Sequence, residues 1–305
     1  MTTRVTQLSM QRSTLANLQL NMAAMASLQE RMSSGTKISV PSDDPAGTSD
    51  VLALRRQQAS MTQYGRNADD ATAWLTTLDS TLSSSLVSVR RARDLTVQGG
   101  NGALGAQARE ALATEIEGVR DGLLSQANAT YLGRTVFAGT SNAGVAFTTA
   151  TAADGTRTYS YTGTVNGETP AVERRLGDDV TVRVDGDGAA VYGDGDDSVF
   201  ALLDKVAAAL RSPDGDPTQY LGAIDARYSA MLTGSSSVGA RQNRVDAAKS
   251  ALQSSTLNVT TQLGNVQDID LAQVILDLES QQVAYQGALG ATARTLQPTL
   301  LDFLQ

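Results

Sequence analysis

A chain of 305 residues is long enough for about two domains, yet it contains neither histidine nor cysteine. Their absence removes disulfides, thiolate metal sites, Ser-His-Asp and Cys-His nucleophiles, the paired-histidine zinc motif and the commonest general base near neutral pH. Aromatic content of 4% argues against a deep ligand cavity, and a formal charge of -8 with no basic patch argues against nucleic acid.

In chain order, the first predicted helix runs from about Leu8 to Ser34 and stops at Gly35, a residue favoured just past a helix end. Steps of three and four along it select Leu8, Gln11, Leu15, Leu18, Met22, Met25, Gln29 and Met32, a heptad-like stripe that a partner helix must cover. The run Pro41 to Gly47 holds two prolines and two aspartates and predicts an ordered corner. Its aspartates argue against a phosphate-binding loop.

From Thr48 a second long helix carries Val51, Leu54, Met61, Leu75, Leu78, Leu82 and Val89, until Gly99-Gly100-Asn101-Gly102 breaks it. A third helix, striped by Ala108, Leu112, Ile116, Val119 and Leu123, turns back against it as an antiparallel hairpin. Residues 140 to 195 instead alternate, in Thr158 to Tyr161 and Val180 to Val184, with a turn expected at Asn166-Gly167. They predict a small β-rich insertion. It is also where charge concentrates, since residues 140–235 hold 14 acidic and 7 basic side chains.

Val199 to Leu210 predicts a helix capped by Asp197 or Ser198, and Tyr220 to Leu232 another. The closing section, Ser236 to Leu304, is almost wholly helical in pattern, with a seven-residue step through Val238, Val245, Leu252, Val259 and Val266. The expected fold class is mainly α with a small β-rich insertion. Both termini form a long antiparallel helical bundle or coiled coil, and the β domain lies outermost.

Several local patterns invite sharper readings. Asp185-Gly186-Asp187-Gly188 and Asp194-Gly195-Asp196-Asp197 lack the ligand spacing and closing glutamate of a calcium loop, so solvated turns are expected. Arg90-Arg91-Ala92-Arg93 has no aromatic stacking partners for nucleic acid and reads first as a subunit contact. Asn128-Ala129-Thr130 and Asn258-Val259-Thr260 read as chance glycosylation sequons. No window of about 18 apolar residues predicts a membrane span. No secretory signal is evident at the N-terminus.

The run Leu28-Gln29-Glu30-Arg31-Met32-Ser33-Ser34-Gly35-Thr36-Lys37-Ile38, followed by Pro41-Ser42-Asp43-Asp44-Pro45-Ala46-Gly47, closely resembles the N-terminal signature of the bacterial flagellin superfamily. Val238 to Arg244, Asp268 to Ala272, Gln281 to Gln286 and Leu300 to Leu304 resemble its C-terminal half. Asn128 to Thr140 and Arg174 to Asp178 are similar to the transition into the outer domain of the members that join hook to filament. There Leu132-Gly133-Arg134 departs from the commoner Tyr-Leu-Phe-Gly-Gly form.

The resemblance implies three parts: an inner core of residues 1–45 with 265–305, disordered before assembly; a helical bundle of residues 46–139 with 198–264; and an outer β-rich domain of residues 140–197. It further implies type III export without a cleaved signal and an extracellular place in the flagellum. The implied partners are copies of the chain in a homo-oligomeric ring, hook-associated protein type 1 on the hook side, flagellin on the filament side, and a cytoplasmic export chaperone on the C-terminal helix. Nucleic acid and membrane are not among them.

Leu15, Leu18, Met22, Met25, Met32, Val259, Val266, Leu278, Tyr285 and Leu289 are the expected packing residues between or within subunits. Arg31, Pro41, Asp43, Asp44, Pro45 and Gly47 form the family-type corner. No residue is assigned a catalytic, cofactor-binding or metal-ligating role. Two alternatives stay open: a minor filament subunit, and an exported enzyme whose middle domain uses carboxylates alone, as in glycoside hydrolysis.

Overall fold

Helix α1 (Gln7–Ser34) stops where the sequence places Gly35, whose φ of +71° lets its N–H turn back to the Arg31 carbonyl at 2.9 Å. The structure, a computed structural model, describes residues 7–153, 155–164 and 169–295. Residues 1–60 with 255–305 form one compact unit, and residues 61–254 form a second. The expected turn at Asn166-Gly167, Leu8 as a packed side chain and the motif Leu300 to Leu304 lie outside the described residues or side chains.

In the first unit the chain leaves α1 through residues 35–44 and enters α2 (Pro45–Gly99). Proline suits the first helical position, where its missing N–H costs nothing. Asp44 precedes it as the cap, its Oδ1 accepting from Gly47 N–H at 2.9 Å. The partner strand of chain is the end of α6 (Leu221–Gln267), followed by α7 (Leu271–Thr295). Asp268-Ile269-Asp270 separates those two helices, and Asp270 caps α7 by accepting from Ala272 N–H at 3.0 Å and Gln273 N–H at 3.2 Å. The two breaks are tied together by Lys37 N–H to Gln267 O at 2.6 Å, Ile269 N–H to Gly35 O at 3.2 Å and a bridge between Thr36 and Asp268.

Helix α1 packs along α7. The covered row on α1 is Thr14, Leu18, Asn21, Met25 and Leu28; on α7 it is Val274, Leu278, Gln281, Tyr285, Ala288 and Thr292. Both rows advance by alternating fours and threes, the spacing of a coiled-coil seam. The α1 row shares Leu18 and Met25 with the predicted stripe and is otherwise shifted by one position. Gln281 Nε2 pins the register, donating to Asn21 Oδ1 at 3.2 Å.

The second unit is built on α2 and α6, which run antiparallel. Arg93 pairs with Asp225 at 2.7 Å near one end, and Lys249 with Asp69 at 2.9 Å near the other. Helix α3 (Ala106–Ala127) returns along α2, and α5 (Val199–Arg211) packs on α3 with Val199, Phe200, Leu202, Leu203, Val206 and Leu210 buried. Ser198, one of the two expected caps, accepts from Ala201 N–H at 3.2 Å. Arg109 closes the other end of α5, donating from Nε to Leu210 O at 2.9 Å and from Nη2 to Ala209 O at 3.0 Å.

Between α3 and α5 lie three antiparallel hairpins: β1 (Thr130–Tyr131) with β2 (Arg134–Thr135), β3 (Phe147–Thr151) with β4 (Arg157–Tyr161), and β5 (Glu173–Arg175) with β6 (Thr181–Arg183). A one-turn helix, α4 (Gly188–Tyr192), follows. Strands β4 and β6 fall on the two predicted alternating runs. Strands β1, β2, β3 and β5 carry too little alternation to be read from sequence. The first hairpin turns on Leu132 and Gly133, with φ of +48° and +77°, the double left-handed geometry of a two-residue loop.

The expected break between Tyr220–Leu232 and Ser236 is absent, for α6 continues through Gly234-Ser235-Ser236-Ser237. Burial outweighs the weak helix preference of these residues: Met231 and Val238 are buried on either side. Gly234 lets Val191 pack so close that an added Cβ would lie 3.1 Å from Val191 Cγ2.

Candidate assembly surface

The corner of the first unit is held by its two aspartates. Asp43 Oδ2 accepts from Ser39 N–H at 3.0 Å, Val40 N–H at 3.0 Å and the Ser39 hydroxyl at 3.2 Å. These backbone donors, Val40 foremost, hold its carboxyl below the usual range, with a smaller pull from Arg31. Pro41 sits between Ser39-Val40 and Asp43, where it adds no donor to compete for that carboxylate. Gly47 is required by space, since a Cβ there would fall 2.6 Å from Asp44 Oδ2 and 2.7 Å from Ile38 Cδ1. With the Ser39, Val40 and Gly47 N–H groups spent on these two carboxylates, the corner keeps none of those donors for an anion.

Beyond the corner, the expected packing residues divide into two sets. Val259 and Leu278 are buried, and Leu18, Met25, Val266 and Tyr285 are half-buried within the unit. Leu15, Met22, Met32 and Leu289 stand exposed, at 58, 52, 41 and 43%. The structure adds apolar side chains that the heptad count passed over: Leu20, Leu257, Leu271, Ile275, Leu276 and Val283 are also exposed. They lie off the 3.5-residue stripe, so periodicity gave no signal. A helix apolar beyond one stripe has more than one face to cover, and covering a Leu or Met side chain is worth about 1.5–3 kcal/mol.

The charged patterns of the second unit are consumed internally. Arg90 donates to the Tyr228 hydroxyl at 2.7 Å, Arg91 to Glu115 at 2.8 Å, and Arg93 pairs with Asp225. That run braces α2 against α3 and α6 and leaves no free basic patch. Nor are all the Asp-rich strings solvated turns. Asp185 is fully buried, accepting from Val172 N–H at 2.7 Å and Arg183 Nη2 at 2.8 Å, because a buried carboxylate is tolerable only when paired and hydrogen-bonded. Asp187 caps α4 through Ala190 N–H at 3.0 Å, while Asp196 and Asp197 are exposed as expected.

A cleft of about 470 Å³ is the best place for carboxylate chemistry, lined by Glu117, Arg120, Arg157, Asp204 and Lys205 among others. Two of its acids are already engaged, Asp204 by Arg120 and the Tyr159 hydroxyl and Glu117 by Arg211, while Asp196 lies exposed at the cleft's edge. Asn128 spends both ends of its amide on the chain, donating to Phe147 O at 3.0 Å and accepting from Ala146 and Phe147 N–H at 2.8 Å. Among the described residues no cluster of acidic side chains could hold a metal, and no helix is long and apolar enough to cross a membrane.

Paired terminal helices with uncovered apolar faces, in a chain whose arginine run and buried Asp185 are spent on internal contacts, define a helical assembly protein. Known proteins agree. The family model for the bacterial flagellin N-terminal helical region matches residues 5–142, and that for the C-terminal helical region matches residues 221–304. The chain belongs to the bacterial flagellin family.

It is 28% identical over 310 residues to flagellar hook-associated protein 3 of Salmonella typhimurium, covering 93% of this chain and 94% of that one. It is 24% identical over 302 residues to the flagellin of Bacillus subtilis, covering 93% of each. Among solved structures it is similar to a flagellar hook-associated protein from Vibrio parahaemolyticus, with TM-score 0.65, 24% identity, and 74% of this chain and all of that one covered.

Proposed function

We propose that this protein is a structural adaptor of the bacterial flagellum, joining hook to filament and working outside the cell. The carrying observation is the first unit, where α1 and α7 cover one seam and leave Leu15, Met22, Met32 and Leu289 exposed. Neighbouring copies in a ring cover those faces. Hook-associated protein type 1 meets the ring on one side, flagellin polymerises on the other, and an export chaperone holds the C-terminal helix before export. Similarity over nearly the full length to hook-associated protein 3 supports this role.

Residues 1–45 with 265–305 act as the inner core, 46–139 with 198–264 as the surrounding bundle, and 140–197 as the outer domain. Residues 1 to about 40 and 268–305 become ordered on assembly, since a two-helix seam buries too little to offset about 1–2 kcal/mol per residue of chain entropy. Strong amide-exchange protection of α1 and α7 in the monomer would count against this. The role is non-catalytic, which the engaged carboxylates of the middle region support.

The full-length likeness to a flagellin favours a second reading, a minor filament subunit. Deleting the gene separates the two. Loss of the adaptor leaves hooks without filaments and flagellin in the medium, whereas loss of a minor filament subunit leaves filaments in place.

A further inference from the structure

The loop between α2 and α3 holds an asparagine followed by glycine, Asn101-Gly102, and both residues are exposed. Three features of that loop bear on the side-chain amide. Ala103 N–H donates to Asn101 Oδ1 at 3.1 Å, so the carboxamide carbonyl is already polarised by a backbone donor. Among the described residues the Gly102 N–H makes no hydrogen bond, unlike Gly100 N–H and Asn101 N–H, which bond Thr96, Val97 and Gln98 carbonyls at 3.1–3.2 Å. Gly102 also has open space on the side where a Cβ would stand, so nothing hinders its nitrogen.

We propose that Asn101 is a self-modification site, at which the folded loop converts asparagine to a mixture of isoaspartate and aspartate. The Gly102 nitrogen, as its amide proton leaves to solvent base, attacks Asn101 Cγ. The oxyanion formed at Oδ1 is met by Ala103 N–H. Collapse breaks the Cγ–Nδ2 bond, ammonia departs with a proton from water, and a five-membered succinimide remains. Water then opens either carbonyl, giving aspartate or its isopeptide-linked isomer. One water enters and one ammonia leaves; no oxidant, metal or partner is needed.

The change is not neutral for the fold. It places a negative charge just past the C-terminal end of α2, where the helix dipole disfavours it. The isoaspartate form also lengthens the backbone by one methylene beside Gly100, which packs so tightly that a Cβ there would lie 2.2 Å from Thr218 Cγ2. Ageing therefore loosens the α2–α3 turn of the second unit. This holds whichever flagellar role the protein has.

The test uses the full folded chain, incubated for weeks at neutral pH and mapped with trypsin. Residues 94–109 form one peptide with Asn101 as its sole asparagine, and residues 121–134 form another with Asn128, whose amide is bonded at both ends. Deamidation should build up in the first several-fold faster than in the second, as paired aspartyl and isoaspartyl peaks. Gly102→Ala, which the open space accommodates, should suppress it, and aged protein should melt below fresh protein. The proposal is overturned if the folded chain leaves 94–109 intact while urea-unfolded chain converts it, if Gly102→Ala reacts as fast, or if aged and fresh protein melt alike.

Discussion

The two units hide apolar surface in different ways. The contiguous buried core runs from Ala68 to Val245, entirely within the second unit, and includes Trp74, Phe137, Tyr159, Tyr192 and Phe200. Rings there meet edge-on and tilted, as in Phe147 against Phe200 at 5.2 Å and Phe137 against Tyr192 at 5.1 Å. Among the described side chains of the first unit the buried apolar ones are Val51, Val259, Val274 and Leu278, while a larger set lies open. One unit completes its own core; the other completes a seam and leaves further apolar side chains exposed.

The largest effect should come from Phe200→Ala, which opens a cavity among Phe147, Tyr159 and Tyr192 and costs about 3–5 kcal/mol. Calorimetry should show the main melting transition falling sharply. Leu18→Pro is the counterpart for the first unit, costing about 3 kcal/mol or more of helix α1. It should leave that main transition in place while abolishing incorporation into flagella; normal incorporation would refute the seam.

Alkaline titration sharpens the contrast without mutation. Burial pushes the Tyr161 hydroxyl up to about 12 and raises Tyr159 and Tyr192 strongly as well. A raised phenol contributes stability fully below its unfolded value of about 10, and that contribution is lost as pH rises from there through about 12. Near-ultraviolet circular dichroism should therefore report cooperative loss of the second unit in that window. Asp43 works in the opposite sense: its lowered carboxyl supports the corner of the first unit at neutral pH, and that support fades as pH falls through the carboxylate range.

The smallest effect is at Leu132, which is 81% exposed and held at φ +48°. Left-handed backbone is costly for leucine and natural for asparagine. Leu132→Asn should stabilise the second unit by about 1 kcal/mol, read as a modest rise in midpoint denaturant concentration. A fall would mean the side chain is held by contacts within the chain.

Much of the helical frame was legible because its signals are local. Gly35, Gly99 and Ser198 mark ends through backbone chemistry, and the row from Val238 to Val266 is covered along its whole length. Asp185 was misread because an aspartate followed by glycine looks like a turn, and its backbone donor Val172 reaches it only when β6 folds back on β5. Likewise Gly234 to Ser237 looked like a break, and only Val191 packing on Gly234 shows why the helix continues.

The sequence by itself determined the class of protein: the absence of histidine and cysteine removed most enzyme chemistry, and stripes at both ends called for partner helices. Tertiary structure decided which side of each stripe is spent. Heptad spacing defines a face only to within one residue, so Leu15 and Leu18 were equivalent on paper. Docking of α7 covered Leu18 and left Leu15 open, because one neighbour can cover only one face of a helix that is apolar on several.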